Sequence, residues 1–201
     1  MTPFFSNPAR IAQLAAVCET WLGTPFMPNA AIKHAGVSCQ KLVGSIYIEC
    51  GALAADFAIP EGPMDWSHAQ TESLIEKFMK KHSRSADCPN PQRVDSGEAL
   101  EFTEVSLMSA PLRVGTTRAP CQPGDMLGFR IGGCVHHCGV VFTADGKFVH
   151  CLRPDGVRFN NLHDATYWTR LEKIWRPIDT SRRRGDESPF SQSLLTSAPT
   201  S

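Results

Sequence analysis

The sequence predicts an α+β domain, with helices first and an antiparallel meander after them, helices packed on one side of a sheet. Three observations carry this. Apolar residues recur at helical spacing through the first 80 or so positions. From Pro123 onward, short apolar runs alternate with turn-forming Pro, Gly and Asp. The chain of 201 residues is 42% hydrophobic and 20% charged, which suits one packed core and excludes a wholly disordered chain.

In order, Asn7-Pro8 reads as a helix cap followed by proline at the first helical position. Ile11, Leu14, Ala15, Val17 and Cys18 give the apolar face of a helix over about 8–22, stopped by Gly23 and Pro25. Residues 23–38 read as a loop. A second helix follows, with Leu42, Val43, Ile46, Tyr47 and Cys50 on one face, Gly51 at its end and Cys39 at its start. After a loop over 51–65 comes an amphipathic third helix over about 66–82, with Leu74, Ile75, Phe78 and Met79 opposite Glu72, Glu76, Lys77, Lys80 and Lys81. Residues 96–107 fit helix and strand equally.

In the second half, strands are expected at 126–131 and 137–143, separated by Gly132-Gly133. Asp145-Gly146 signals a hairpin into a third strand at 147–152. Pro154-Asp155-Gly156 turns the chain into 157–159, then a short helix near 164–171 and a last strand at 173–176. Asp125 and Asp155 read as turn formers. Residues 1–178 thus form a single domain, with 83–120 as an insertion and 179–201 as a disordered polar tail. Arg184-Gly185-Asp186 in that tail reads as a chance tripeptide.

Basic and acidic residues number twenty each. The neutral balance argues against nucleic acid and anionic membrane as partners. No run approaches the 18 or so apolar residues of a membrane span. The N-terminus lacks the basic, apolar and small-residue regions of a signal peptide, so synthesis in the cytoplasm is expected. Most of the eight cysteines should then be reduced, and most should fill core space.

Cys39 differs from the other seven. It opens a helix, where partial positive charge favours thiolate and free N–H groups can hold an oxyanion. A nucleophilic cysteine also needs a base and a group to orient that base. His137 and His150 are the candidates. With a two-residue turn at Asp145-Gly146, Val141 would lie opposite His150 and His137 would share its face. His137 would still be roughly 13 Å away along the strand. A three-residue loop would put the two histidines on opposite faces.

Several motifs resemble those of the NlpC-type, papain-like cysteine peptidases of cell walls. The N-terminal signature is Trp21-Leu-Gly-Thr-Pro-Phe26, Asn29-Ala-Ala-Ile-Lys33, Gly36-Val-Ser-Cys39 and Leu42-Val43. The second half is Pro123-Gly-Asp-Met-Leu-Gly-Phe-Arg130, His137-Cys-Gly-Val-Val141, Gly146-Lys-Phe-Val-His150 and Gly156-Val157, closed by Trp168 through Trp175-Arg176-Pro177. The flavour is that of the branch associated with phage tails and gene-transfer particles.

The resemblance implies a papain-like NlpC fold with the nucleophile at a helix N-terminus against the sheet. It implies Cys39 as nucleophile, His137 as general base and His150 as the residue orienting it, with no metal or cofactor. Ser38, Gln40 and Phe26 fall in the oxyanion neighbourhood. The implied substrate is a peptidoglycan stem peptide, cut at the γ-D-glutamyl–diamino acid bond. Phage tail proteins are the implied partners, and a tail-like particle the implied destination. Ser38, Gln40, Lys41 and Phe26 depart from the family pattern, which usually has Asp, a Gly-containing pair and Tyr there. Two other readings stand beside this one: a tail assembly protein that kept the fold without turnover, and a zinc domain using Cys134, His136, His137, Cys138, His150 and Cys151.

Overall fold

The structure is a computed structural model that describes residues 2–62, 72–82, 101–107 and 121–179. The predicted stretch 66–71 of the third helix, most of the expected insertion, Cys88 and the tail from residue 180 lie outside the described residues.

Helix α1, Pro8–Thr20, starts as its cap dictates: the Ala9 N–H donates to Asn7 Oδ1 at 2.8 Å. It ends two residues earlier than expected, and Gly23 follows at φ +74. The loop after it contains a small ribbon, β1 (Ala31–Ile32) and β2 (Gly36–Val37), that the sequence did not announce. Helix α2 runs Cys39–Glu49 and buries Leu42, Val43, Ile46 and Tyr47. Helix α3 is Leu74–His82. It starts later than the apolar pattern suggested, because Ser73 accepts the Glu76 N–H through its hydroxyl and donates to the Val135 carbonyl.

The main sheet is antiparallel. Its strands are β3 (Glu101–Glu104), β4 (Met126–Ile131), β5 (Cys134–Val141), β6 (Lys147–Leu152), β7 (Gly156–Asn161) and β8 (Leu171–Ile178), in the order β3-β8-β4-β5-β6-β7. A one-turn helix, α4 (Ala165–Trp168), precedes β8 and is capped by Asp164. β5 begins three residues before the expected start, and β7 and β8 are longer than expected. Segment 101–104 resolves as strand, pairing with β8 at the sheet edge.

Both sheet faces are buried, and residues alternate between them. Met126, Val140, Val149, Cys151 and Trp175 face α1 and α2, in a core that includes Leu14, Leu42, Ile46 and Tyr47. Leu127, Phe129, Val141, Phe148 and Ile174 face the other way, toward Tyr167 and Trp168. Each such side chain removed from water contributes about 1.5–3 kcal/mol.

Asp125 is more than the turn former the sequence suggested. It does close the turn, accepting the Gln122 N–H at 2.8 Å. It is also fully buried and bound by Arg176 through two N–H groups at 2.8 Å each. Burial nonetheless raises its carboxyl above the ordinary range, outweighing the Arg176 guanidinium that pulls it down.

Candidate active site

The loop before α2 is pinned on several sides, and this delivers Cys39. The Gly23 N–H donates to Val157 O at 3.1 Å and the Val157 N–H to Thr24 O at 2.8 Å. This close approach to β7 requires glycine at 156, where a Cβ would lie 2.4 Å from Thr24 O. The Val37 N–H bonds Pro25 O at 3.0 Å, the Ser38 N–H bonds Ala30 O at 3.2 Å, and Val37 O accepts the Cys151 thiol at 3.2 Å. Ser38 is the N-cap residue, and the first bond of the helix is Leu42 N–H to Ser38 O at 2.9 Å.

The register of β5 on β6 differs from the expected one by two residues. His150 lies opposite Gly139, and Val141 lies opposite Phe148. The connection is four residues, Thr143–Gly146, rather than the Asp145-Gly146 pair alone. The Phe142 N–H closes it onto Lys147 O at 3.0 Å, and the Lys147 N–H donates to Thr143 Oγ1 at 2.9 Å. A slip of two preserves the face of every side chain. It also shortens the His137–His150 offset to one pleat repeat, about 7 Å along the strand. The rings therefore meet diagonally, with Nε2 of His137 and Nδ1 of His150 2.9 Å apart. Gly139 makes this possible, since a Cβ there would sit 2.7 Å from Val149 O and 3.2 Å from the His150 Cβ.

β5 and β6 pair only from Gly139/His150 to Val141/Phe148, although β5 begins at Cys134 and β6 ends at Leu152. Beyond that pairing the strands part. The register on β4 shifts here, with a bulge at His136 between Phe129↔His137 and Arg130↔Val135, which bends β5 at this point. The Cys39 sulfur lies against this stretch of β5. It is within hydrogen-bonding reach of the Cys138 thiol, the His137 ring and the Cys138 backbone N–H. That N–H is one the ladder would otherwise have offered to β6.

The electrostatics single out Cys39. Burial pushes the thiols of Cys50, Cys121 and Cys151 up to about 12 and raises Cys18 further. Cys39 goes the other way, held well below the ordinary thiol value first by the Cys138 hydrogen bond, then by the His137 ring and the Cys138 N–H, against the cost of its burial. Cys138 is correspondingly raised, through the same bond and its own burial, and so remains the thiol donor of the pair. Burial and the neighbouring His137 push His150 down to about 3, so it is a neutral imidazole near pH 7.

The structure brings Cys39, His137 and His150 together as one chain of contacts. His137 stacks on Phe129 at 5.7 Å, and His150 stands edge-on to Tyr167 at 5.2 Å. Ser38 is buried with its hydroxyl unpaired among the described residues. Phe26 bridges to Val37, two residues before Cys39, beneath the Arg153 guanidinium. Gln40 lines an apolar hollow bounded by Val43, Ile59 and Phe78. Lys41 donates to Ile59 O at 2.8 Å, a local structural contact. Two residues of the site were missed from the sequence. Cys138 lies on the helix side of the sheet, and there it meets Cys39. Asn160 of β7 places Oδ1 2.8 Å from His150 Nε2. The period-2 pattern of β7 could have put Asn160 on a face, but its partner depends on two registers.

The seven described cysteines are free thiols. Among the described residues, no group of three or more His, Cys, Asp or Glu side chains is arranged to hold a metal ion. No helix among them is long and apolar enough to cross a membrane.

No family model matches the sequence, and no curated protein matches it significantly. Solved structures do. One is a protein similar to lipoprotein, of the NLP/P60 family, from Staphylococcus aureus subsp. aureus Mu50, at TM-score 0.50 and 16% identity over 89% of this chain. The chain spans 45% of that protein's length. Another is the NlpC/p60 domain of the peptidoglycan hydrolase SagA, at TM-score 0.43 and 14% identity, covering 82% of this chain and 96% of that one. The α+β, papain-like fold that the motifs implied is the fold this chain shares with the S. aureus protein.

Proposed function

We propose that the chain is a cysteine hydrolase of peptide or amide bonds, with Cys39 as nucleophile, His137 as general base and acid, and His150 as the group that orients His137. The observation that carries this is the continuous contact from a thiolate-favoured Cys39 through His137 to a buried neutral His150.

With Nε2 of His137 engaged by His150, Nδ1 is the nitrogen turned to Cys39. The thiolate attacks the substrate carbonyl carbon, and the protonated His137 gives its Nδ1 proton to the leaving amine as the C–N bond breaks. His137 then takes a proton from water as it attacks the thioester, releasing a carboxylate and the free thiolate. Unpaired N–H groups in the first turn of α2, with the unpaired Ser38 hydroxyl beside them, are the donors available to the developing oxyanion.

The substrate class rests on the sequence motifs: a peptidoglycan stem peptide, cut at the γ-D-glutamyl–diamino acid bond. The departures at Ser38, Gln40, Lys41 and Phe26 leave Cys39, His137 and His150 themselves unchanged. Association with phage tails or gene-transfer particles also rests on the motifs, and neither solved structure named above is described as a tail protein. A panel of muropeptides tests the proposal. Cleavage by the wild-type chain, abolished in Cys39→Ala with unchanged circular dichroism, is the expected result. A panel left intact by wild-type protein whose Cys39 is reduced and alkylatable overturns it.

A further inference from the structure

A third strand extends the contact chain. On β7, Arg158 lies directly opposite His150 and Asn160 lies diagonal to it. The geometry repeats that between His137 on β5 and His150 on β6. Three polar side chains thus run across three neighbouring strands, with His137 Nε2 to His150 Nδ1 at 2.9 Å and His150 Nε2 to Asn160 Oδ1 at 2.8 Å. We infer that Asn160 is a positioning residue of the site, setting through its carboxamide oxygen the tautomers of both histidines.

A carbonyl oxygen only accepts, so the His150 nitrogen facing Asn160 carries the proton. A neutral imidazole has one N–H, which leaves His150 Nδ1 bare and able only to accept. It accepts the Nε2–H of His137. Nδ1 of His137 is thereby the nitrogen that exchanges a proton with Cys39. Without the Asn160 acceptor, His150 can place its proton on Nδ1, where it opposes the His137 N–H and turns that ring away from its working tautomer. Among the described residues, the charged and titratable groups facing His150 are His137 on β5, Arg158 on β7 and Tyr167 on α4. Of these and Asn160, Asn160 alone meets its Nε2.

The inference rests on the proposed roles of Cys39 and His137, but its test does not require a substrate. The rate of Cys39 carboxamidomethylation by iodoacetamide, read by peptide mass spectrometry across pH 5–9, reports the reactive thiolate directly. Asn160→Ala should slow Cys39 alkylation near pH 6.5 by about tenfold or more and move the profile to higher pH, since wrong-tautomer defects in catalytic triads cost that much or more. Asn160→Asp retains an acceptor on His150 Nε2 and should restore the rate to within a few-fold. In wild type, the ¹⁵N shifts of His150 should show Nε2 protonated and Nδ1 bare, a measurement that survives any folding failure of the variants. An alkylation profile unchanged in Asn160→Ala, an Asn160→Asp variant as slow as Asn160→Ala, or a protonated His150 Nδ1 overturns the inference. If the profile shifts as expected while no muropeptide is cleaved, the Asn160 role stands and the hydrolase reading falls.

Discussion

Lowering the pH should destabilise this protein through His150 in particular. The ring is fully buried, between Phe148 at 4.9 Å and Tyr167 at 5.2 Å. Burial, and then the neighbouring His137, lowers it from the ordinary 6.5 to about 3. Between those values the unfolded chain binds a proton that the folded chain refuses. Stability from this residue is therefore fully present above about pH 6.5 and is lost as pH falls toward 3. At pH 4.5, two units below the unfolded value, the loss is about 3 kcal/mol, at roughly 1.4 kcal/mol per unit. Urea unfolding at pH 7 and pH 4.5, followed by the fluorescence of buried Trp21 and Trp175, measures it. The comparison is His150→Gln, which keeps an amide between His137 and Asn160 and removes the titration. Asp125, whose raised carboxyl acts in the opposite direction, is common to both proteins and cancels. Wild type should lose about 3 kcal/mol more than the variant over this interval. Parallel losses in the two proteins would refute the account of a buried, neutral His150.

Two other substitutions test the scaffold. Gly139→Ala places a Cβ 2.7 Å from Val149 O and 3.2 Å from the His150 Cβ. It should cost about 1–3 kcal/mol in urea unfolding and, by shifting His150, slow Cys39 alkylation; a variant matching wild type in both would show that β5 and β6 have slack here. Arg176→Met leaves the buried Asp125 carboxylate without its partner and should cost about 3–5 kcal/mol near neutral pH. The loss should shrink as pH falls and the carboxyl is protonated. Adding Asp125→Asn should recover more than half of it, and a double variant as unstable as Arg176→Met alone would contradict the ion-pair account.

Local chemistry made much of the fold legible. The Asn7-Pro8 cap, the apolar faces of α1 and α2, and the turns at Gly132-Gly133, Asp145-Gly146 and Pro154-Asp155-Gly156 each act over a few residues. What local signals left open was length and register. The ribbon of β1 and β2 is two residues per strand and too short to produce a pattern. An Asp-Gly pair announces a turn without stating how many residues it contains, and here Thr143 lengthens it by accepting the Lys147 N–H.

The sequence by itself determined that Cys39 opens a helix, and that His137 and His150 share a face if the turn between their strands holds an even number of residues. It could not bring them together, because contact between strands depends on register, and register follows from loop length and packing against the core. The tertiary structure slipped that register by two residues, ended the β5–β6 pairing at Gly139/His150, set the Cys39 sulfur against Cys138 and His137, and brought Asn160 into the site. These are contacts between residues far apart in the chain, held in place by packing on both faces of the sheet, and no local pattern encodes them.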